Sequence, residues 1–224
     1  MPINSNAEIE ITTLAWVPEG ARGLVKDLRV RWALEEAGLD YRIRPLGGER
    51  PADYCQDQPF NQVPCLSDGT VRIFESGAIL QYIGEKSEAL LPSDPQAKFR
   101  AIQWTFAAVS SLEPFVQFRV LLDVVFADQP WSGPAKPTFD HFAQLRLGQV
   151  AGWLGDKQWL EGDRFTIGDL MMVTVLRIAS KGGLLGDQPK LAEYVARGEA
   201  RPAFQRALAD HLAGFADQPE GVAA

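Results

Sequence analysis

A chain of 224 residues, 46% of them apolar, can bury one large or two small hydrophobic cores. Its formal net charge of −7 argues against a nucleic-acid or anionic-membrane partner, either of which requires clustered Lys and Arg. Two cysteines, Cys55 and Cys65, are too few for a disulfide framework or a zinc site and too far apart for a Cys-x-x-Cys redox pair, so no metal is expected. Met1 to Glu10 carry neither a basic cluster nor an apolar core, and no apolar run approaches the ~18 residues of a membrane span. A cytoplasmic location is the expectation.

In chain order, Glu8 to Leu14 alternates as a strand, with Ile9, Ile11 and Thr13 on one side. Val30, Ala33, Leu34 and Ala37 then make an apolar helix face that stops at Gly38, and Tyr41 to Arg44 alternates again before Pro45. Strand, helix, strand in this order makes the two strands parallel neighbours. Gly47 to Pro59 reads as a loop with one short helix. Cys65-Leu66 and Val71 to Phe74 flank Asp68-Gly69, a favoured hairpin turn, and Val63-Pro64 stands at the hairpin's entrance. Ser76 follows Glu75 and can cap a helix carrying Ile79, Leu80 and Ile83.

Residues 87 to 95 read as a linker. Ser93-x-x-Gln96 has the form of a capping box for a long helix whose face is Phe99, Ile102, Phe106 and Val109. Pro114 should kink or split it, after which Phe115, Phe118, Leu122 and Val125 continue the stripe. Ala127 to Pro137 reads as a loop, and Phe139, Phe142, Val150 and Leu154 mark a further helix. Thr166-Ile167-Gly168-Asp169 is a second capping box, and helices near Leu191–Arg197 and Pro202–His211 finish the chain. The tail after Phe215 should be disordered.

The stretch from Gln62 through Val63-Pro64, the hairpin and Glu75-Ser76 resembles the glutathione-binding half of the glutathione transferase family, bacterial-type and without assignment to a class. Arg29 to Tyr41 resembles the family's first helix and second strand, and Arg164-Phe165-Thr166-Ile167-Gly168-Asp169-Leu170 its buried helix cap. The fold this implies is α/β plus all-α: a thioredoxin-like domain over 1–86, a linker over 87–95 and an α-helical domain over 96–224 that forms the acceptor-substrate pocket. In such a protein Pro64 is cis and Val63 pairs its backbone with the cysteinyl unit of glutathione, as an added strand pairs at a sheet edge. Glu75 meets the γ-glutamyl ammonium, while Ser76 and the N–H groups behind it meet the carboxylate. Gln62 matches a side-chain donor position, and Arg50 is a candidate for the glycyl carboxylate. The resemblance further implies glutathione as cosubstrate, a small, largely apolar electrophile as second substrate, detoxification as the role, and a homodimer.

Catalysis of this kind turns on the thiol, which at a pKa near ~8.5 is only roughly 3% thiolate at pH 7. The family places a Tyr, Ser or Cys just after the first strand, yet Trp16 to Asp27 holds none of these. Arg22, between Gly20 and Gly23, is the candidate cationic donor, Gly23 a candidate backbone donor and Lys26 the second choice. Trp16 would wall the pocket, and Trp104, Phe115 and Phe118 are candidates for the apolar acceptor wall. His141 and His211 receive no chemistry. The rivals are glutathione-dependent peroxide or disulfide reduction and a binding protein that kept the fold without catalysis.

Overall fold

The computed structural model describes residues 3 to 216, so the tail expected to be disordered lies, from residue 217 on, outside the described residues. The order of elements is β1 (Ile9–Leu14), α1 (Asp27–Ala37), β2 (Tyr41–Leu46), α2 (Tyr54–Asp57), β3 (Cys65–Asp68), β4 (Val71–Phe74) and α3 (Ser76–Glu85). Six helices follow: α4 (Pro95–Ala107), α5 (Glu113–Val124), α6 (Ser132–Leu154), α7 (Ile167–Lys181), α8 (Pro189–Glu199) and α9 (Pro202–Ala213).

Four strands form one sheet in the order β2-β1-β3-β4. β1 runs parallel to β2, with Ile9 opposite Tyr41, and antiparallel to β3, with Ile11 opposite Leu66. Gly38 closes α1 in the left-handed conformation at φ 66°, which a side chain would resist. The buried face of α1 includes the expected Val30, Ala33 and Leu34, and extends to Trp32, whose ring meets Phe204 of α9 edge-on at 4.9 Å.

The chain divides into two compact units: one runs up to Leu90 and resumes at Arg201, the other is Leu91–Ala200. The boundaries expected at 86 and 96 group α9 with the helical region. Instead, α9 is tied to α1, where Arg201 grips Glu36 at 2.5 and 2.8 Å and Arg206 reaches Glu35 at 2.7 Å.

In the helical unit, α4 is capped by Asp94, whose side chain accepts from Ala97 N–H at 2.9 Å, with Pro95 in the first turn; the expected cap, Ser93, lies one residue outside. Phe99 and Phe106, expected to be buried, are 66% and 55% exposed. The buried face is the small-residue one, Ala101, Thr105 and Ala108. A five-residue π-helical turn, Ala108–Leu112, separates α4 from α5 just ahead of Pro114, where a split was expected. The loop expected up to Pro137 ends before Ser132, where α6 begins: Pro134 fits its first turn, where a missing N–H costs no bond, and Pro137 lies inside the helix. Ser132 Oγ anchors that start by donating to Leu122 O at 2.7 Å. α7 opens with the expected capping box of Thr166 and Asp169.

Candidate functional site

The Val63–Pro64 peptide bond is cis, as the resemblance implied. Around it runs a chain of hydrogen bonds whose direction follows from proton counting. Tyr54 Oη donates to Gln62 O at 2.6 Å, which uses its only proton, so at 3.0 Å Thr12 Oγ1 donates to Tyr54. Thr12 Oγ1 in turn accepts from Cys65 N–H at 2.8 Å. Burial pushes the Tyr54 hydroxyl up to about 12, so it stays protonated and the chain holds at neutral pH. Neither Thr12 nor Tyr54 figured among the expected site residues. The Cys65 thiol, also raised by burial, donates to Asp57 O at 3.3 Å and is a packed core group.

At the far end of the hairpin, the helix-cap position expected of Ser76 is taken by Glu75. Ser76 is the first helical residue of α3, and Glu75 is the cap position. The Glu75 side chain makes no capping bond, is exposed, and sits on a backbone at φ 70°, a conformation that non-glycine residues seldom adopt. Ser76 is buried, and its Oγ accepts from Arg29 Nη1 of α1 at 3.3 Å. Arginine is only a donor, so the Ser76 hydroxyl hydrogen remains available to donate. With no side-chain cap present, the first N–H groups of α3 are donors as well. Arg29, 2% exposed, is a residue that the linear pattern did not single out.

Gln62 is exposed, Val63 half-buried and Pro64 buried. Arg50 folds back to donate to Gly47 O within its own loop. In the segment between β1 and α1, a 3-10 turn spans Glu19–Ala21, Gly23 is buried at φ 77°, and Arg22 is half-buried. The Arg22 guanidinium lies over the Phe215 ring at 5.6 Å, and its Nε is buried without a hydrogen-bond partner among the described residues. Lys26 occupies the cap position of α1 and makes no side-chain capping bond there.

Family profiles described as "Glutathione S-transferase, N-terminal domain" and "Glutathione S-transferase, C-terminal domain" match residues 20–85 and 143–202. The maleylacetoacetate isomerase of Pseudomonas aeruginosa is 30% identical over 85% of this chain and 93% of its own. The chain belongs to the glutathione S-transferase family. Glutathione S-transferase 3 of Zea mays is 28% identical over 81% of this chain and 88% of its own. Among solved structures, a glutathione transferase family member from Pseudomonas fluorescens, with two glutathione bound, superposes with a TM-score of 0.80 at 25% identity, covering 92% of this chain and 95% of that one. The thioredoxin-like sheet followed by an all-helical region is thus the family's fold.

The helical unit of this glutathione S-transferase separates the three aromatics expected to form one wall. Trp104 lines a cavity of about 240 Å³ with Ser111, Arg146, Gln149 and Trp153, and its Nε1 donates to Glu161 at 2.8 Å. Phe115 stacks on Phe142 at 5.2 Å and Phe118 lies against Phe139 at 5.9 Å; neither lines that cavity. No described helix is long and apolar enough to cross a membrane, and no described group of His, Cys, Asp and Glu could hold a metal ion.

Proposed function

We propose that this chain binds glutathione on the hairpin and the start of α3, and raises its thiolate fraction for attack on a small electrophile. The γ-glutamyl end of glutathione is a zwitterion, and its site needs one anion beside several donors. Glu75, exposed, supplies the anion. The Ser76 hydroxyl, its lone pair occupied by Arg29, and the uncapped N–H groups of α3 supply the donors. That polarised Ser76 is the observation on which the reading rests. Val63 offers its backbone to the cysteinyl unit, with Gln62 as a neighbouring donor, and Arg22 and the Gly23 N–H provide positive potential for the sulfur. The electrophile, the homodimer, the cytoplasmic setting and the role in detoxification belong to the same proposal, as does a domain division near residues 86 to 96.

Glu75 supports a ligand role in another way. Its φ of 70° costs on the order of 1–3 kcal/mol, and its side chain returns no capping bond to the fold. Isothermal titration with glutathione should show at least a tenfold weaker Kd for Glu75→Ala, since a charge-assisted contact contributes roughly 1.5–3 kcal/mol. The thermal midpoint should not fall. Unchanged affinity in Glu75→Ala would remove this site assignment, and thiolate absorbance of the wild-type complex separates a catalyst from a carrier.

A further inference from the structure

The segment between β1 and α1 carries Arg22 on a loop whose backbone is held by short turns, Ala21 N–H to Pro18 O and Arg22 N–H to Glu19 O. A long, flexible cation on such a loop loses rotamer entropy when it is fixed in place, so something must hold it if it is to face a sulfur. Residues 211 to 216 meet this loop at three points. At its start, Ala216 N–H donates to Ala15 O at 2.8 Å. At its end, His211 Nδ1 lies 3.2 Å from Asp27 Oδ2, with both side chains fully buried. In the middle, the Phe215 ring lies under the Arg22 guanidinium at 5.6 Å. That ring is itself fixed, edge-on to His211 at 4.8 Å and 85°.

We propose that this C-terminal segment is the seat of Arg22, with Phe215 as the positioning residue and the Asp27–His211 contact as its anchor. Asp27 suits the anchoring role because Oδ2 also accepts from Thr13 at 2.8 Å and from Arg31 at 2.9 Å, which joins β1, α1 and α9 at one atom. The ring contacts of Phe215 are to Arg22 and His211, so it acts on the site through Arg22. The aromatic face attracts the cation and limits its rotamers, so removing the ring releases the charge from its place without deleting it. The inference rests on the assignment of Arg22 to the glutathione sulfur and extends it to a residue 193 positions further along the chain.

The test combines two readouts on the full-length protein. Trypsin cleavage after Arg22 reports how firmly the residue is seated and needs no ligand. Phe215→Ala should be nicked there faster than wild type, and Phe215→Trp should not. The second readout is the pH titration of thiolate absorbance in the glutathione complex. Phe215→Ala should shift it to higher pH and lower kcat about fivefold, the effect of one cation–aromatic contact, with the Kd for glutathione unchanged at low pH, where the bound thiol stays protonated. Phe215→Trp should restore both, and in an Arg22→Ala background Phe215→Ala should add nothing. Unchanged nicking and titration in Phe215→Ala, or a further loss in the double variant, would overturn the proposal. Wild type that fails to bind glutathione would sink the functional reading instead, and nicking would still decide whether Phe215 seats Arg22.

Discussion

Two aspartates, each fully buried in the first turn of a helix, show opposite electrostatic outcomes. Asp27 opens α1, and Asp169 is the third residue of α7. Asp169 is surrounded by neutral donors: Leu160 N–H and Tyr194 OH at 2.8 Å, Thr166 N–H at 2.9 Å and Thr166 OH at 3.1 Å. Burial outweighs these bonds and raises its carboxyl above the usual range. Burial also acts to raise Asp27, but there the bond and charge of His211, the charge of Arg31 and the Thr13 hydroxyl prevail, and the carboxyl is held low. Reach differs too, since the most distant partner of Asp169 is 25 residues away and that of Asp27 is 184. The same residue type at the start of a helix is a local cap when its partners are neutral and near in sequence, and a node joining distant parts of the chain when a guanidinium and a side chain 184 residues away meet it.

The largest effect should come from destroying the node. Asp27→Ala leaves Arg31, 2% exposed, without its carboxylate, and stranding a buried charge costs about 3–5 kcal/mol. A urea unfolding midpoint should record a loss of that size, together with faster trypsin nicking after Arg22 because the anchor of the C-terminal segment is gone. A loss under ~1 kcal/mol would mean that Asp27 is only another cap, and the contrast with Asp169 would disappear.

Acid stability sharpens the contrast without removing a side chain's bulk. Asp27 binds its proton more weakly folded than unfolded. Its contribution is therefore complete above 3.8, the ordinary aspartate value, and is lost as pH falls through the depressed folded value. Asp169 binds its proton more tightly when folded, so its contribution is complete at low pH and declines as pH rises from 3.8 towards the raised folded value. Asp27→Asn should flatten the acid limb of a stability-against-pH curve, whereas Asp169→Asn should steepen it. Equal changes in slope would show that the two carboxyls share one environment.

How far these features could be read in advance depends on the distance between partners along the chain. Gln62 to Ser76 is continuous, so the elements of the candidate cradle, from Val63-Pro64 through the hairpin to α3, were recognisable from order and turn chemistry. The capping box at Thr166 was too, because its partners are three residues apart. Thr12 and Tyr54 are 42 residues apart and were not recognised, and His211 carried no signal at all until Asp27 was placed beside it. Arg29 was equally silent, since its bond to Ser76 spans 47 residues. The α4 face failed for another reason. Periodicity favours large apolar side chains such as Phe99 and Phe106, yet close helix packing selects small ones: a Cβ on Gly168 would stand 2.7 Å from Trp104 Cβ and 2.9 Å from Ala101 O.

The smallest predicted effect isolates the cap from the node. Thr166 Oγ1 accepts from Gly168 N–H at 3.2 Å and donates to Asp169, so Thr166→Ala removes one capping bond and one of the four donors around the carboxylate. The expected loss is about 1 kcal/mol, within the range of helix-cap truncations. Glutathione affinity and the thiolate titration should both stay at wild-type values, because every partner of this cap lies within residues 160 to 194. Asp27→Asn, which disturbs the contact that anchors Phe215, should move the thiolate titration even where its stability cost is matched by Thr166→Ala. If both variants move it equally, the titration follows global stability, and the difference between the two aspartates ends at their pKa shifts.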